Sequence, residues 1–136
     1  MKDFHKDGLI EFRSADKRFF YRFTAFAFSR APVQIWRFET GRFKDVTRDG
    51  FRPQIRADKR HLWRAYLRHR SGQFSDVRGI LAAWLADKYL LHRGAAGWRV
   101  LHRIEGRGEL TGEFGPTGNR YLEKLRRFLV RTGYAH

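Results

Sequence analysis

The spacing of hydrophobic residues changes near residue 50, and this change limits the folds open to the chain. Before it, aromatic and polar residues alternate, as in residues 18–28, where Phe19, Tyr21 and Phe23 fall on one side of a strand. After it, apolar residues recur every three or four positions, which is typical of amphipathic helices. This order predicts an α+β fold, in which an N-terminal antiparallel sheet of three or four strands is followed by about four helices packed on it.

The first half of the chain contains four candidate strands, at residues 9–13, 18–28, 33–39 and 42–46. In the second of them, Phe26 and Phe28 are out of phase with the aromatic residues before them. One extra residue, a β-bulge near Thr24 or Ala25, would return all the rings to one face. We expect that face to pack against the helices, because buried Phe is the usual case in a folded chain.

A tight hairpin is predicted between the third and fourth strands. Thr40 and Gly41 form a two-residue connection, with Gly at a position that favours a positive φ angle. This register places Phe38 opposite Phe43.

The first two predicted helices differ in character. Pro53 suits the first turn of a helix that extends to about residue 70 with one apolar stripe. Asp76 can cap the next helix. Residues 77–91 have almost no polar face, so this helix is expected at the centre of the core.

Glycine residues delimit the remaining helices. Gly94 and Gly97 are expected to end the central helix, because Gly disfavours helix interiors. A short third helix is predicted at residues 98–106. A glycine-rich connection at residues 106–118 then precedes a last amphipathic helix that Gly133 ends.

Length and composition indicate one domain over residues 1–136, strand-rich over 1–50 and helix-rich over 51–136. The absence of Cys excludes disulfides and Cys nucleophiles. The longest uncharged apolar stretch has eight residues, against about twenty for a membrane span, so no membrane partner is expected. Acidic residues near the start do not fit a signal peptide. We therefore expect a cytoplasmic chain as given, or an exported one if it is part of a longer precursor.

The chain is strongly basic, with 29 Lys and Arg against 14 Asp and Glu and a formal charge of +15. Residues 1–50 hold 11 of the basic and 7 of the acidic residues, so most of the excess lies in residues 51–136. A hydrophobic content of 42% is too high for a disordered basic tail. The charge therefore belongs to a folded domain and indicates a polyanionic partner.

Much of this charge falls in two rows of evenly spaced cations on predicted helices. The rows are Arg56, Arg60, Arg64 and Arg68 on the first helix and Arg120, Lys124, Arg127 and Arg131 on the last. Guanidinium groups fit phosphate, and such rows can follow a phosphate backbone while releasing its counterions. The rows favour a small binding module for nucleic acid, DNA or RNA, or for another polyanion, without recognition of base sequence. The simpler interpretation is that they are solvated helix faces.

Two other functions are consistent with the same residues. In one, the arginines bind an acidic protein partner and the domain is a structural or protein-interaction module. In the other, His102 and Glu105 share a helical face in a metal-dependent nuclease or toxin-like hydrolase. That pair supplies two ligands, whereas a hydrolytic site needs three or a second metal. The sequence therefore favours a binding module over an enzyme and assigns no catalytic residue, metal ligand or cofactor.

Several short segments together carry a resemblance to a known family. They lie at residues 25–27, 31–33, 41–47, 55–66 around Asp58 and Trp63, 81–84, 86–87, 128–129 and 133–134. With them, the chain resembles an uncharacterised bacterial domain of high-GC organisms that often forms the C-terminal part of longer exported proteins. The resemblance implies a non-enzymatic module and no catalytic residues.

Overall fold

The computed structural model describes residues 10–20, 30–72 and 76–136. Within these ranges, three strands form one antiparallel sheet in the order β1-β2-β3, and four helices follow. The strands are β1 Glu11–Ala15, β2 Val33–Glu39 and β3 Arg42–Asp45, and the helices are α1 Arg52–His69, α2 Arg78–Leu90, α3 Gly94–Gly106 and α4 Gly118–Arg131. The predicted α+β arrangement, with the sheet first and the helices second, is confirmed.

The predicted hairpin connects β2 and β3. Thr40 and Gly41 both have positive φ angles, of 47° and 76°, as a two-residue turn between twisted strands requires. Phe38 pairs with Phe43 in the register that the turn predicts, and their ring centroids lie 5.2 Å apart. Both rings are exposed, so this pair lies on the surface of the sheet.

The strand predicted over residues 18–28 is wrong at its start, because Lys17–Phe19 form a single turn of 3-10 helix. Asp16 explains this turn. Its carboxylate accepts hydrogen bonds from the backbone N–H of Arg18 at 3.1 Å and from the Arg18 guanidinium at 2.6 Å. Residues 21–29, with the predicted bulge, lie outside the described residues.

Helix α2 lies at the centre of the core, as its lack of a polar face predicts. Every residue from 78 to 87 is buried. Helices α1 and α3 pack along it, and α4 and the 3-10 turn also contact it. Even so, none of the helices in the described ranges is both long and apolar enough to cross a membrane.

The third helix begins four residues earlier than predicted, because Gly94 and Gly97 lie inside it. A Cβ atom at Gly94 would come within 2.5 Å of the Tyr89 ring, and one at Gly97 within 2.5 Å of a Leu85 methyl carbon. These glycines therefore serve close packing of α3 on α2, which outweighs their poor helix propensity.

A buried arginine holds the glycine-rich segment in place. The guanidinium of Arg78 is fully buried, pairs with Asp76 at 2.5 Å, and donates to the carbonyl oxygen of Pro116 at 2.6 Å and to that of Phe114. A Cβ atom at Gly112 would overlap this guanidinium. The glycines of this segment thus let the backbone approach a buried charge, which its hydrogen bonds satisfy.

Two carboxyl groups meet in the interior between α1 and α2. Asp58 accepts the backbone N–H of Val33 at 3.1 Å and lies 3.4 Å from the Arg13 guanidinium, so it joins α1 to the sheet. Asp87 is fully buried, and neither of its carboxyl oxygens has a hydrogen-bond partner of regular geometry within the described residues. Burial raises the pKa of Asp87 well above its usual value, and the nearby Asp58 raises it further. Asp87 therefore holds a proton where exposed aspartates have lost theirs.

We expect this proton to make stability depend on pH. The folded-state pKa of Asp87 is raised, so its contribution is complete below the ordinary Asp pKa of about 4 and is lost as pH rises through the folded value. Chemical denaturation of the wild type and of Asp87→Asn at a series of pH values measures this loss. The difference in slope should approach about 1.4 kcal/mol per pH unit, because Asn stays neutral throughout.

Asp49→Asn, at an exposed position, is the matched control and should run parallel to the wild type. Parallel curves for wild type and Asp87→Asn would show that Asp87 is ionised in the folded protein.

Candidate polyanion-binding surfaces

The four arginines predicted on the first helix, here called the α1 row, are all exposed on α1. They are Arg56, Arg60, Arg64 and Arg68. A step of four residues turns about 40° around an α-helix, so the two ends of the row point about 120° apart. The α1 row therefore winds around the helix and cannot follow one straight backbone along its whole length.

The cations predicted on the last helix, here called the α4 ridge, are also exposed. They are Arg120, Lys124, Arg127 and Arg131. Steps of four, three and four residues return almost to the same direction, so the ridge stays on one face over about 16 Å. Its side chains border a shallow concave surface with Pro116 and Glu123. Glu123 lies 3.8 Å from Arg127, and both side chains are mostly exposed, so the ridge keeps most of its positive field.

Of the two concave surfaces that these rows border, neither is lined by described residues of both rows. Arg56, at the start of the α1 row, borders a cleft to which α4 contributes no residue. Arg60, Arg64 and Arg68 border neither this cleft nor the concave surface of the α4 ridge. Within the described residues, Arg56 and the α4 ridge thus border different concave surfaces.

A cleft of about 530 Å³ opens where α1, the end of α2 and the start of α3 meet. Among the described residues, its lining holds five Lys or Arg side chains and one His, and no acidic side chain. The lining residues of this cationic cleft are Arg52, Arg56, Lys59, Lys88, Leu91, His92, Arg93 and Ala96. The cleft gathers more positive charge in one concavity than either row.

The helix ends explain why these cations converge. Arg52, Arg56 and Lys59 are spaced by four and three residues and so share one face of α1. The opposite wall is the turn after α2, where the N–H of Arg93 donates to the carbonyl oxygen of Lys88 at 2.7 Å and that of His92 to Tyr89 at 3.0 Å. These bonds satisfy the carbonyl oxygens of Lys88 and Tyr89, so at these two positions no cationic side chain is needed as a cap.

His92 holds this turn in an unusual backbone conformation. Its φ of 59° lies in the left-handed region, at the position after a helix where glycine is the common residue. A side chain there costs conformational energy. The chain thus carries an imidazole at the edge of the cationic cleft where glycine would be more stable.

The charges in the cationic cleft are not balanced by carboxylates. Among the ion pairs between described residues, none includes a Lys or Arg of the cleft. Partial burial lowers the pKa of Lys88, and repulsion from Lys59 and Arg93 lowers it further. The acid next to Lys88 in the chain, Asp87, keeps its proton to higher pH than an exposed aspartate, because burial raises its pKa. An anion that entered the cleft would therefore relieve repulsion.

Sequence reasoning found one residue of this cleft, Arg56, and missed the other cations. The spacing of Arg52, Arg56 and Lys59 was a usable signal. Lys88, His92 and Arg93 flank the end of the central helix, and nothing in the sequence shows that this end faces the start of α1. That neighbourhood depends on helix packing.

The metal pair considered from sequence, His102 and Glu105, lies on α3. His102 is exposed on α3, and its ring centroid lies 6.3 Å from that of Trp98. In the part of the chain that the structure describes, no three His, Asp or Glu side chains are grouped as metal ligands. No observation favours the nuclease alternative.

A family model described as the sll0997 C-terminal domain matches residues 55–133. The chain belongs to this family. The predicted resemblance to an uncharacterised bacterial domain with no established activity is thereby confirmed. The matched segment contains the α4 ridge and, apart from Arg52, every residue that lines the cationic cleft.

Two longer proteins are similar to this chain. One is the probable thylakoid lumen protein sll0997 of Synechocystis sp. (strain ATCC 27184 / PCC 6803 / Kazusa), 30% identical over 146 residues, which covers 98% of this chain and 43% of that protein. The other is the uncharacterized protein y4bJ of Sinorhizobium fredii (strain NBRC 101917 / NGR234), 32% identical over 102 residues, which covers 74% and 16%. The chain spans less than half the length of either relative. No solved structure matches it.

The lowered pKa of Lys88 can be tested directly. The double variant Lys59→Gln/Arg93→Gln should raise the Lys88 pKa, because it removes both repelling charges. The Lys88 pKa should not reach its ordinary value, because burial is the largest cause of the lowered pKa and remains in the variant. An NMR titration of the Lys88 side chain measures it. Arg120→Gln/Arg127→Gln removes the same charge from the α4 ridge and should leave this pKa in place; an equal shift in both variants would point to net charge alone.

Proposed function

We propose that this domain binds nucleic acid or another polyanion by contacts to phosphate, without recognition of base sequence. The residues proposed to make these contacts are Arg56, Arg60, Arg64, Arg68, Arg120, Lys124, Arg127 and Arg131, joined by the cations of the cationic cleft. No catalytic residue and no cofactor enters the proposal.

The observation that carries this proposal is the uncompensated charge of the cationic cleft. Its five Lys and Arg side chains have no carboxylate partner within the described residues. Partial burial lowers the pKa of Lys88, and repulsion from Lys59 and Arg93 lowers it further. A folded protein holds such a cluster at a cost in stability. A bound polyanion offsets that cost and releases its own counterions, which favours binding at low salt.

The two rows extend the contact in different ways. The α1 row leads away from the cleft at Arg56 and turns around the helix, which suits a flexible strand better than a straight one. The α4 ridge is straight and stays on one face. It offers a second, independent contact. Such contacts to phosphate position a ligand and carry no sequence information.

An acidic protein is the second candidate partner, and the name of the Synechocystis relative favours it. From that name we also propose that the domain acts in exported proteins. An exported domain meets other proteins more often than chromosomal DNA. Carboxylates on such a partner would use the same arginines, because the guanidinium fork pairs with carboxylate, as with phosphate, through two parallel hydrogen bonds.

The dependence of binding on salt tests the proposal. Fluorescence anisotropy with short single-stranded DNA, duplex DNA and RNA should show an affinity that falls steeply between about 50 and 200 mM salt. Each lost phosphate contact lowers the log–log slope by about 0.7 to 0.9, so Arg60→Glu/Arg64→Glu and Arg120→Glu/Lys124→Glu should each lower it by about 1 to 2.

Arg42→Glu/Lys44→Glu is the matched control, because it reverses the same charge on the exposed strand β3. It should leave the slope nearly unchanged. Equal losses of slope in all three variants would show that net charge alone accounts for the effect. If no oligonucleotide binds at the lowest salt, nucleic acid is refuted as the ligand. An interaction with an acidic protein that survives nuclease digestion would support the second candidate instead.

A further inference from the structure

We infer that the cationic cleft is a discrete site for an oligophosphate group, a compact anion in which several phosphates are joined. This deepens the proposed function, on which it rests, by naming the group that the cleft holds. The rows can contact any extended polyanion, whereas the cleft has the dimensions and charge of a site for one compact group.

The amount of charge separates oligophosphate from simpler anions. Five Lys and Arg side chains and one His border about 530 Å³. Near neutral pH a single phosphate or sulfate carries at most two negative charges and leaves most of the cluster repelling itself. A chain of joined phosphates places four or five negative charges within a few ångströms, and it offers each of Arg52, Arg56 and Arg93 a pair of oxygens for its guanidinium fork.

The backbone of the cleft adds donors that suit phosphate oxygens. Helix α3 starts at Gly94, and its preceding residue Arg93 makes no side-chain cap. The first N–H groups of this helix, including that of the cleft residue Ala96, have no acceptor within the helix. They supplement the charged side chains and carry no part of the inference alone.

His92 and Lys88 give the site properties that a solvated face lacks. His92 lines the cleft, and its backbone has the left-handed conformation. Lys88 is held half-buried with its ammonium 5.5 Å from the centre of the Trp84 ring, among cations that disfavour its protonation. Binding of oligophosphate should therefore draw a proton onto Lys88.

Calorimetry with inorganic tripolyphosphate, pyrophosphate, phosphate and sulfate tests the inference. We expect one tripolyphosphate per chain, with affinity falling in the order given. Proton uptake at alkaline pH, measured in buffers of different ionisation enthalpy, should accompany binding. Both Lys88→Gln/Arg93→Gln and Arg52→Gln/Arg56→Gln should lower the affinity at least about tenfold, because each removes two charge-assisted contacts. The variant that lacks Lys88 should also lose the proton uptake.

Two variants separate binding from folding and from net charge. His92→Gly should lower the affinity while keeping or raising the unfolding midpoint, because glycine adopts the left-handed conformation without strain. Arg120→Gln/Arg127→Gln removes two charges outside the cleft and should change the affinity less than about twofold, since screening weakens distant charges. Equal losses in the cleft and α4 variants, several ions bound per chain, or equal affinity for phosphate and tripolyphosphate would each overturn the inference.

Competition assays identify the source of the oligophosphate, and binding assays test the oligophosphate site separately from the proposed function. RNA with a 5′-triphosphate should displace tripolyphosphate more strongly than the same RNA with a 5′-hydroxyl if the group is the end of a nucleic acid, and equally if the group is free oligophosphate. Binding of tripolyphosphate without binding of oligonucleotides would keep the cleft and remove nucleic acid from the proposed function. Oligonucleotide binding that depends on the rows and not on the cleft, with no binding of tripolyphosphate, would keep nucleic acid in the proposed function and remove the oligophosphate site.

Discussion

The burial of α2 is the constraint on which the rest of the structure depends. Residues 78–87 are buried, and α1, α3, α4 and the 3-10 turn between β1 and β2 pack against their helix. Burial of so much apolar surface is the main favourable term in folding such a chain. Only the end of α2 reaches the surface. Lys88 emerges there, and the start of α1 and the start of α3 surround it to form the cationic cleft.

The core contains one buried polar group that is paired as an ion and another that keeps its proton. Arg78 keeps its charge, because Asp76 and the backbone oxygens of the glycine-rich segment satisfy its guanidinium. Asp87 keeps its proton to higher pH than an exposed aspartate, because burial disfavours the ionised form and the neighbouring Asp58 disfavours it further. This second solution also affects the surface. A carboxyl group that keeps its proton adds no counter-charge beside Lys88 at pH values where exposed aspartates are already ionised.

Elements governed by local chemistry follow from the sequence, and elements governed by packing do not. The hairpin register depends on Thr40 and Gly41 alone and is confirmed. The start of α3 is missed because Gly94 and Gly97 resemble helix breakers, while their contacts with Tyr89 and Leu85 need α2 in place. The same division holds for the candidate site. Amphipathic spacing predicts the exposure of both rows, whereas the angular drift of the α1 row and its separation from the α4 ridge concern whole helices.

The sequence by itself determined the order of sheet and helices, the burial of α2 and the concentration of positive charge in the helical half, because each depends on residue type and spacing along one element. The tertiary structure decided which cations meet. Lys88, His92 and Arg93 lie more than thirty positions from Arg52 and Arg56, and only the packing of α1 and α3 on α2 brings them to one cleft. Spacing within a helix specifies a face, and the close approach of two faces is a property of the folded core.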